Sequence, residues 1–81
     1  MSRKTITVEY FAILREHVGA ASEAVATEAS TARELYDELA AKHAFPELQS
    51  VKVAINDEFA DWQAALASDD RVVFIPPVAG G

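Results

Sequence analysis

A chain of 81 residues, 51% of them apolar, can bury one modest core and has no room for a second domain or a deep enclosed active site. Its formal charge of −6 argues against a nucleic-acid surface, which needs clustered Lys and Arg to displace counterions, and favours solubility or a basic protein partner. With no cysteine there is no disulfide framework, no thiolate metal site and no side-chain thiol for sulfur chemistry.

The apolar stretches are too short to span a bilayer. The polar start Met1-Ser2-Arg3-Lys4 runs directly into Thr/Val-rich sequence without the apolar region of a signal peptide, so the expected location is the cytoplasm, with no membrane partner.

From Lys4 to Phe11 the residues alternate, with Ile6, Val8 and Tyr10 facing one way and Thr5, Thr7 and Glu9 the other, as in a half-buried strand. Phe11, Leu14 and Val18 then fall at helical spacing, and Gly19 can supply a left-handed stop to one or two helical turns. Ser22 to Glu28 lies between two stops and reads as a second strand paired to the first, although only Val25 strongly prefers a strand. Thr31-Ala-Arg-Glu34 has the form of a capping box, and Ala32, Leu35, Tyr36 and Leu39 mark the apolar stripe of the main helix, reaching about His43. Pro46 makes its continuation unfavourable.

Val51, Val53 and Ile55 alternate with Lys52 and Ala54. Asn56-Asp57-Glu58 predicts a turn and Phe59-Ala60 a short returning strand, making a hairpin. Between Asp61 and Ser68, Trp62 and Leu66 can pack at i,i+4 spacing. Asp69-Asp70 predicts a further turn, Arg71 to Ile75 the last strand, and Pro76-Pro77 its end. A single long helix covering one face of a mixed sheet makes an α+β roll.

The final residues combine stiffness and thinness. Pro76 and Pro77 hold φ near one value and favour an extended exit, whereas Gly80 and Gly81 lack a Cβ and can thread a narrow site where any side chain beside a reacting carboxylate would meet the wall. A frayed terminus is the bland reading of the same residues.

At this point the chain resembles the small, sulfur-carrying subunit of molybdopterin synthase (the MoaD family), of the ubiquitin-like β-grasp class. The resemblance spans nearly the whole length. It rests on Tyr10-Phe11-Ala12 with Leu14-Arg15-Glu16 and Val18-Gly19, on Val53-Ala54-Ile55-Asn56, and above all on Asp70-Arg71-Val72-Val73-Phe74-Ile75-Pro76-Pro77-Val78-Ala79-Gly80-Gly81.

The resemblance implies a β-grasp domain over residues 1–75 and a flexible reactive tail over 76–81. In the cycle it implies, an adenylating enzyme like those that activate ubiquitin uses ATP on the Gly81 carboxylate, with Gly80 beside it. A sulfurtransferase or cysteine desulfurase then supplies the sulfur of a thiocarboxylate. The loaded tail inserts into the large, catalytic subunit of the synthase, in a heterotetramer with two large subunits, and gives its sulfur to cyclic pyranopterin monophosphate. The chain would bind no cofactor and catalyse nothing alone. That division of labour suits a sequence with no phosphate-binding loop, no glycine-rich dinucleotide turn and no cysteine nucleophile.

The resemblance further implies an apolar docking patch for both partners drawn from Phe11, Phe59, Phe74 and Ile75, with Pro76, Pro77, Val78 and Ala79 as the inserted stem. For each of the four patch residues, core packing is the competing reading. Alternation separates Phe74 from Ile75, and if Val72 and Phe74 are core then Val73 and Ile75 are the exposed pair.

Arg15 can fix a partner carboxylate or pair within its own chain, and the internal pair is the expectation here. His17 and His43 stand apart and lack neighbouring ligands, so no metal site is expected. Asp57-Glu58 and Asp69-Asp70 sit at turns, where acidic residues stabilise the bend. Glu34, Asp37 and Glu38 form a solvated acidic helix face. Three rivals use other chemistry or other acceptors: a carrier for thiamine or tRNA thiolation, a ubiquitin-like modifier of protein lysines, and an interaction domain with an idle tail.

Overall fold

A computed structural model of the protein describes residues 3–46 and 50–77. Strand β1 (Lys4–Tyr10) keeps its period of two, burying Ile6, Val8 and Tyr10. Phe11 stays extended, and its carbonyl accepts the amides of Leu14 and Arg15 to open helix α1 (Ala12–Val18). Gly19, at φ 86°, closes that helix by donating its amide to the Arg15 carbonyl at 2.9 Å. Strand β2 (Ser22–Thr27) returns antiparallel to β1 with Val25 opposite Ile6. Its alanines are weak strand formers, so the pairing and the burial of Val25 and Thr27 carry it.

Helix α2 (Ala32–His43) buries Ala32, Leu35 and Leu39, as its stripe predicts. Thr31 Oγ1 accepts the Glu34 amide at 3.2 Å, one half of the capping box. The other half is displaced by one residue, because the Glu34 carboxylate takes the amide of Ser30 at 2.7 Å. The helix stops before Pro46 is reached: Ala44 turns left-handed at φ 54°, and the amides of Ala44 and Phe45 both donate to the Ala40 carbonyl.

Strands β3 (Lys52–Ile55) and β4 (Glu58–Ala60) form the expected hairpin, but its turn is two residues long. Asn56 and Asp57 both have positive φ, 52° and 75°, the form whose twist matches the flanking strands, and Glu58 already pairs with Ile55. Trp62 and Leu66 lie on irregular chain rather than a helix. The carbonyls of Trp62 and Ala64 accept the amides of Arg33 and Ala32 at 2.9 and 3.1 Å, satisfying free donors at the start of α2. Backbone committed to capping another helix cannot also form its own.

Strand β5 (Arg71–Ile75) lies parallel to β1 and antiparallel to β3, giving a mixed sheet in the order β2-β1-β5-β3-β4. On the face beneath α2, Tyr36 packs against Phe74 and Trp62 with ring centroids 5.0 and 5.3 Å apart. The expected α+β roll is thus realised, with α1 as a short second helix. No helix among the described residues is long and apolar enough to cross a membrane.

Candidate functional site: an open sheet face at the root of the tail

Because β1 and β5 run parallel, with Tyr10 beside Phe74, both end at the same margin of the molecule. The chain therefore leaves the fold from a central strand, next to Phe11 on one side and to Lys52, the partner of Ile75, on the other. Pro76 is buried and Pro77 exposed, so the stem is anchored at its first proline and emerges at its second. Without an amide hydrogen, Pro76 also ends the strand ladder. Val78, Ala79, Gly80 and Gly81 lie outside the described residues.

The sheet face away from α2 is read from register. Glu9 opposes Val73, Val73 opposes Ala54, and Ala54 opposes Phe59, so these four side chains form one row across four strands. Ile75 and Lys52 form the neighbouring row at the tail margin, where Phe11, extended directly after Tyr10, also turns to this face. Phe59 is 74% exposed and Phe11 47%.

Two expectations change here. Phe74 is fully buried beneath α2 and offers no surface to a partner; it takes the core place that alternation left open to it. Val73, expected to be exposed beside Ile75, is only 8% exposed, as is Ala54, because both are short side chains on inner strands flanked on each side. The accessible apolar groups on this face are thus Phe59, Phe11 and, partly, Ile75. Ile13, 45% exposed on α1, was given no role by the sequence pattern.

The charges near this face are mostly paired. Arg71 bonds Asp57 and lies 3.6 Å from Glu9. Asn56 ties the hairpin turn to the start of β5, accepting the Arg71 amide at 3.0 Å and donating to Asp70 at 2.9 Å. Asp70 also accepts the Ala67 amide at 2.8 Å and so stabilises its bend as expected, whereas Glu58 lies in β4 and not in the hairpin turn. Arg15 does not: among the described residues it forms no ion pair, and the internal partner expected for it is not found.

A second polar cluster lies on the α2 side. Tyr10 donates its hydroxyl to Glu23 at 2.8 Å, His43 Nε2 reaches the same oxygen at 2.9 Å, and Lys42 stands 3.9 Å from the other. Burial would push the Glu23 carboxyl up, but the hydrogen bonds from His43 and Tyr10 and the charges of Lys42 and His43 outweigh it and hold the group below its ordinary value. Burial first, and then the Glu23 bond, drive the Tyr10 phenol well above its ordinary range. The cluster ties the end of α2 to β1 and β2. No group of three metal-ligating side chains occurs among the described residues.

A mixed five-stranded sheet in this order, one main helix across it and a central last strand leading into a narrow tail define the ubiquitin-like β-grasp class. Solved structures agree: SAMP1 from Haloferax volcanii is 26% identical, with a TM-score of 0.79 over 95% of this chain and 99% of that one. A chain of the BexX/CysO complex from Amycolatopsis orientalis is 28% identical, with a TM-score of 0.67 over 94% and 99%. A chain of the complex of subunits 1 and 2 of the molybdopterin-converting factor from Helicobacter pylori is 25% identical, with a TM-score of 0.63 over 95% and 99%. Among curated proteins none matches this sequence. The ThiS family matches residues 8–81, and the chain belongs to that family of ubiquitin-like sulfur carriers and modifiers.

Proposed function

We propose that this chain is the sulfur-carrier subunit of a molybdopterin synthase, working through the carboxylate of Gly81. The family match that reaches Gly81 carries the reading, together with an apolar face placed at the root of the tail. The 25% identical chain from the complex of subunits 1 and 2 of the molybdopterin-converting factor supports the choice of pathway and a large-subunit partner; the assembly proposed is a heterotetramer with two large subunits.

The chemistry follows from the carboxylate. As an anion it repels a sulfur nucleophile, so one of its oxygens first attacks the α-phosphorus of ATP in the adenylating partner and pyrophosphate leaves. The terminal sulfur of a donor persulfide then attacks the acyl carbon and AMP departs; a thiol reductant cleaves the resulting acyl disulfide, leaving the donor sulfur in a disulfide with that thiol and releasing the thiocarboxylate, which carries the sulfur to the pterin precursor. The buried Pro76 fixes where the tail begins, the thin tip enters the partner's site, and Phe59, Phe11 and Ile75 hold the body against the partner.

Intact-mass measurement after incubation with an adenylating enzyme, ATP and a sulfur donor tests this. The expected result is the gain of one sulfur for one oxygen, mapped to Gly81, and no gain would overturn the reading. The likeness to SAMP1, by name a small archaeal modifier protein, favours a second reading in which the same activated tail serves as a protein modifier; a carrier feeding a different sulfur acceptor, such as thiamine or tRNA, would use the same tail. Covalent ladders in cells that depend on Gly81 would decide for the modifier, and failure to complete molybdopterin synthesis beside the large subunit together with restoration of thiamine or tRNA thiolation would decide for the other acceptor.

A further inference from the structure

Strand β4 is one of the two outer edges of the sheet, and against the β3–β4 pair and the chain after it lies a concavity of about 440 Å³ bordered in part by Lys52, Phe59, Asp61 and Trp62. It joins the open face through Phe59 and reaches the root of the tail through Lys52, whose backbone is paired with Ile75. Lys52 is exposed, and its ammonium makes no hydrogen bond or ion pair among the described residues. Asp61 borders the same concavity but forms no ion pair with Lys52. The other cation of the face, Arg71, is occupied by Glu9 and Asp57.

An ammonium kept open beside apolar surface, in a chain of charge −6, fits a partner group of opposite sign. We propose that Lys52 takes a carboxylate of the adenylating partner, on a segment whose neighbouring apolar side chain seats between Phe59 and Trp62. Asp61, at the same margin, turns away a second carboxylate and so sets the charge pattern the segment must have. An activating partner must tell this tail from other thin tails, and Lys52 is the cation directly across the strand ladder from its root. The inference rests on the carrier reading, since it assigns the surface that reading uses.

Pyrophosphate–ATP exchange by the adenylating enzyme, driven by this chain, reads the contact. At low salt Lys52→Glu raises KM about tenfold or more with kcat unchanged, and added salt narrows the gap. Lys52→Arg stays near the unaltered chain, and Asp61→Asn leaves KM equal or lower. Matching thermal melts show that Lys52→Glu is folded. If KM for Lys52→Glu stays within about twofold of the unaltered chain, or if Asp61→Asn raises KM as Lys52→Glu does, Lys52 and Asp61 serve only each other and the proposal falls. Absence of exchange with the unaltered chain would overturn both this assignment and the carrier reading, whereas exchange insensitive to Lys52 overturns this assignment alone.

Discussion

At the scale of single residues, Glu23 shows how a fold can tune a surface carboxylate. One of its oxygens serves both Tyr10 and His43, and the net effect holds its pKa below the ordinary 4.5 of the unfolded chain. A carboxylate with a depressed folded pKa adds stability at pH values above its unfolded pKa, and that stability is lost as pH falls through the folded value. Urea midpoints should therefore hold above the ordinary 4.5 and drop as the pH falls below it, and Glu23→Gln should make that acid limb shallower. An unchanged acid limb would remove Glu23 from the account. Sequence alone had no access to this cluster, since Tyr10, Glu23 and His43 come from three different elements.

At the scale of elements, α2 is where local signals and packing agree most fully. Its cap, its stripe and its acidic first turn are all sequence-local, and Leu35 sits at the centre of the stripe with no exposure. Leu35→Ala should lower unfolding free energy by about 2–5 kcal/mol in denaturant titrations, a large share of the total for so small a domain. It should leave sulfur loading of the remaining folded molecules intact. The segment from Asp61 to Ser68 behaves in the opposite way: Trp62 and Leu66 have helical spacing, but the carbonyls of the segment are drawn to the start of α2. A local period could not reveal that another element would claim its backbone.

At the scale of the whole molecule, the packed sheet reaches into the root of the tail at Pro76. The core closes with Phe74 and the buried Pro76, while the reaction proposed for the chain takes place at Gly81. Adding residues after Gly81 should therefore abolish the oxygen-for-sulfur mass gain while leaving the melting temperature unchanged. Loading through an extended tail would show that the carboxylate of Gly81 is not the carrier group. Deleting Gly80 and Gly81 with no loss of molybdopterin synthesis would mark the tail as idle.

The sequence by itself determined the strand periods, the extent of α2, the left-handed stop at Gly19 and the family signature running through Pro76-Pro77 to Gly81. These are encoded by neighbours a few residues apart, where side-chain alternation, helical spacing and backbone preference act directly. Only the tertiary structure decided which side chains share the open face. Placing Glu9, Val73, Ala54 and Phe59 in one row depends on three strand registers between distant segments, and so does setting Lys52 beside Ile75. The same pairings buried Phe74 and shielded Val73, leaving Phe11 and Phe59 as the exposed aromatic groups of the open face. Alternation gives each strand two faces, but which face stays open emerges only when the sheet is assembled and α2 covers the other.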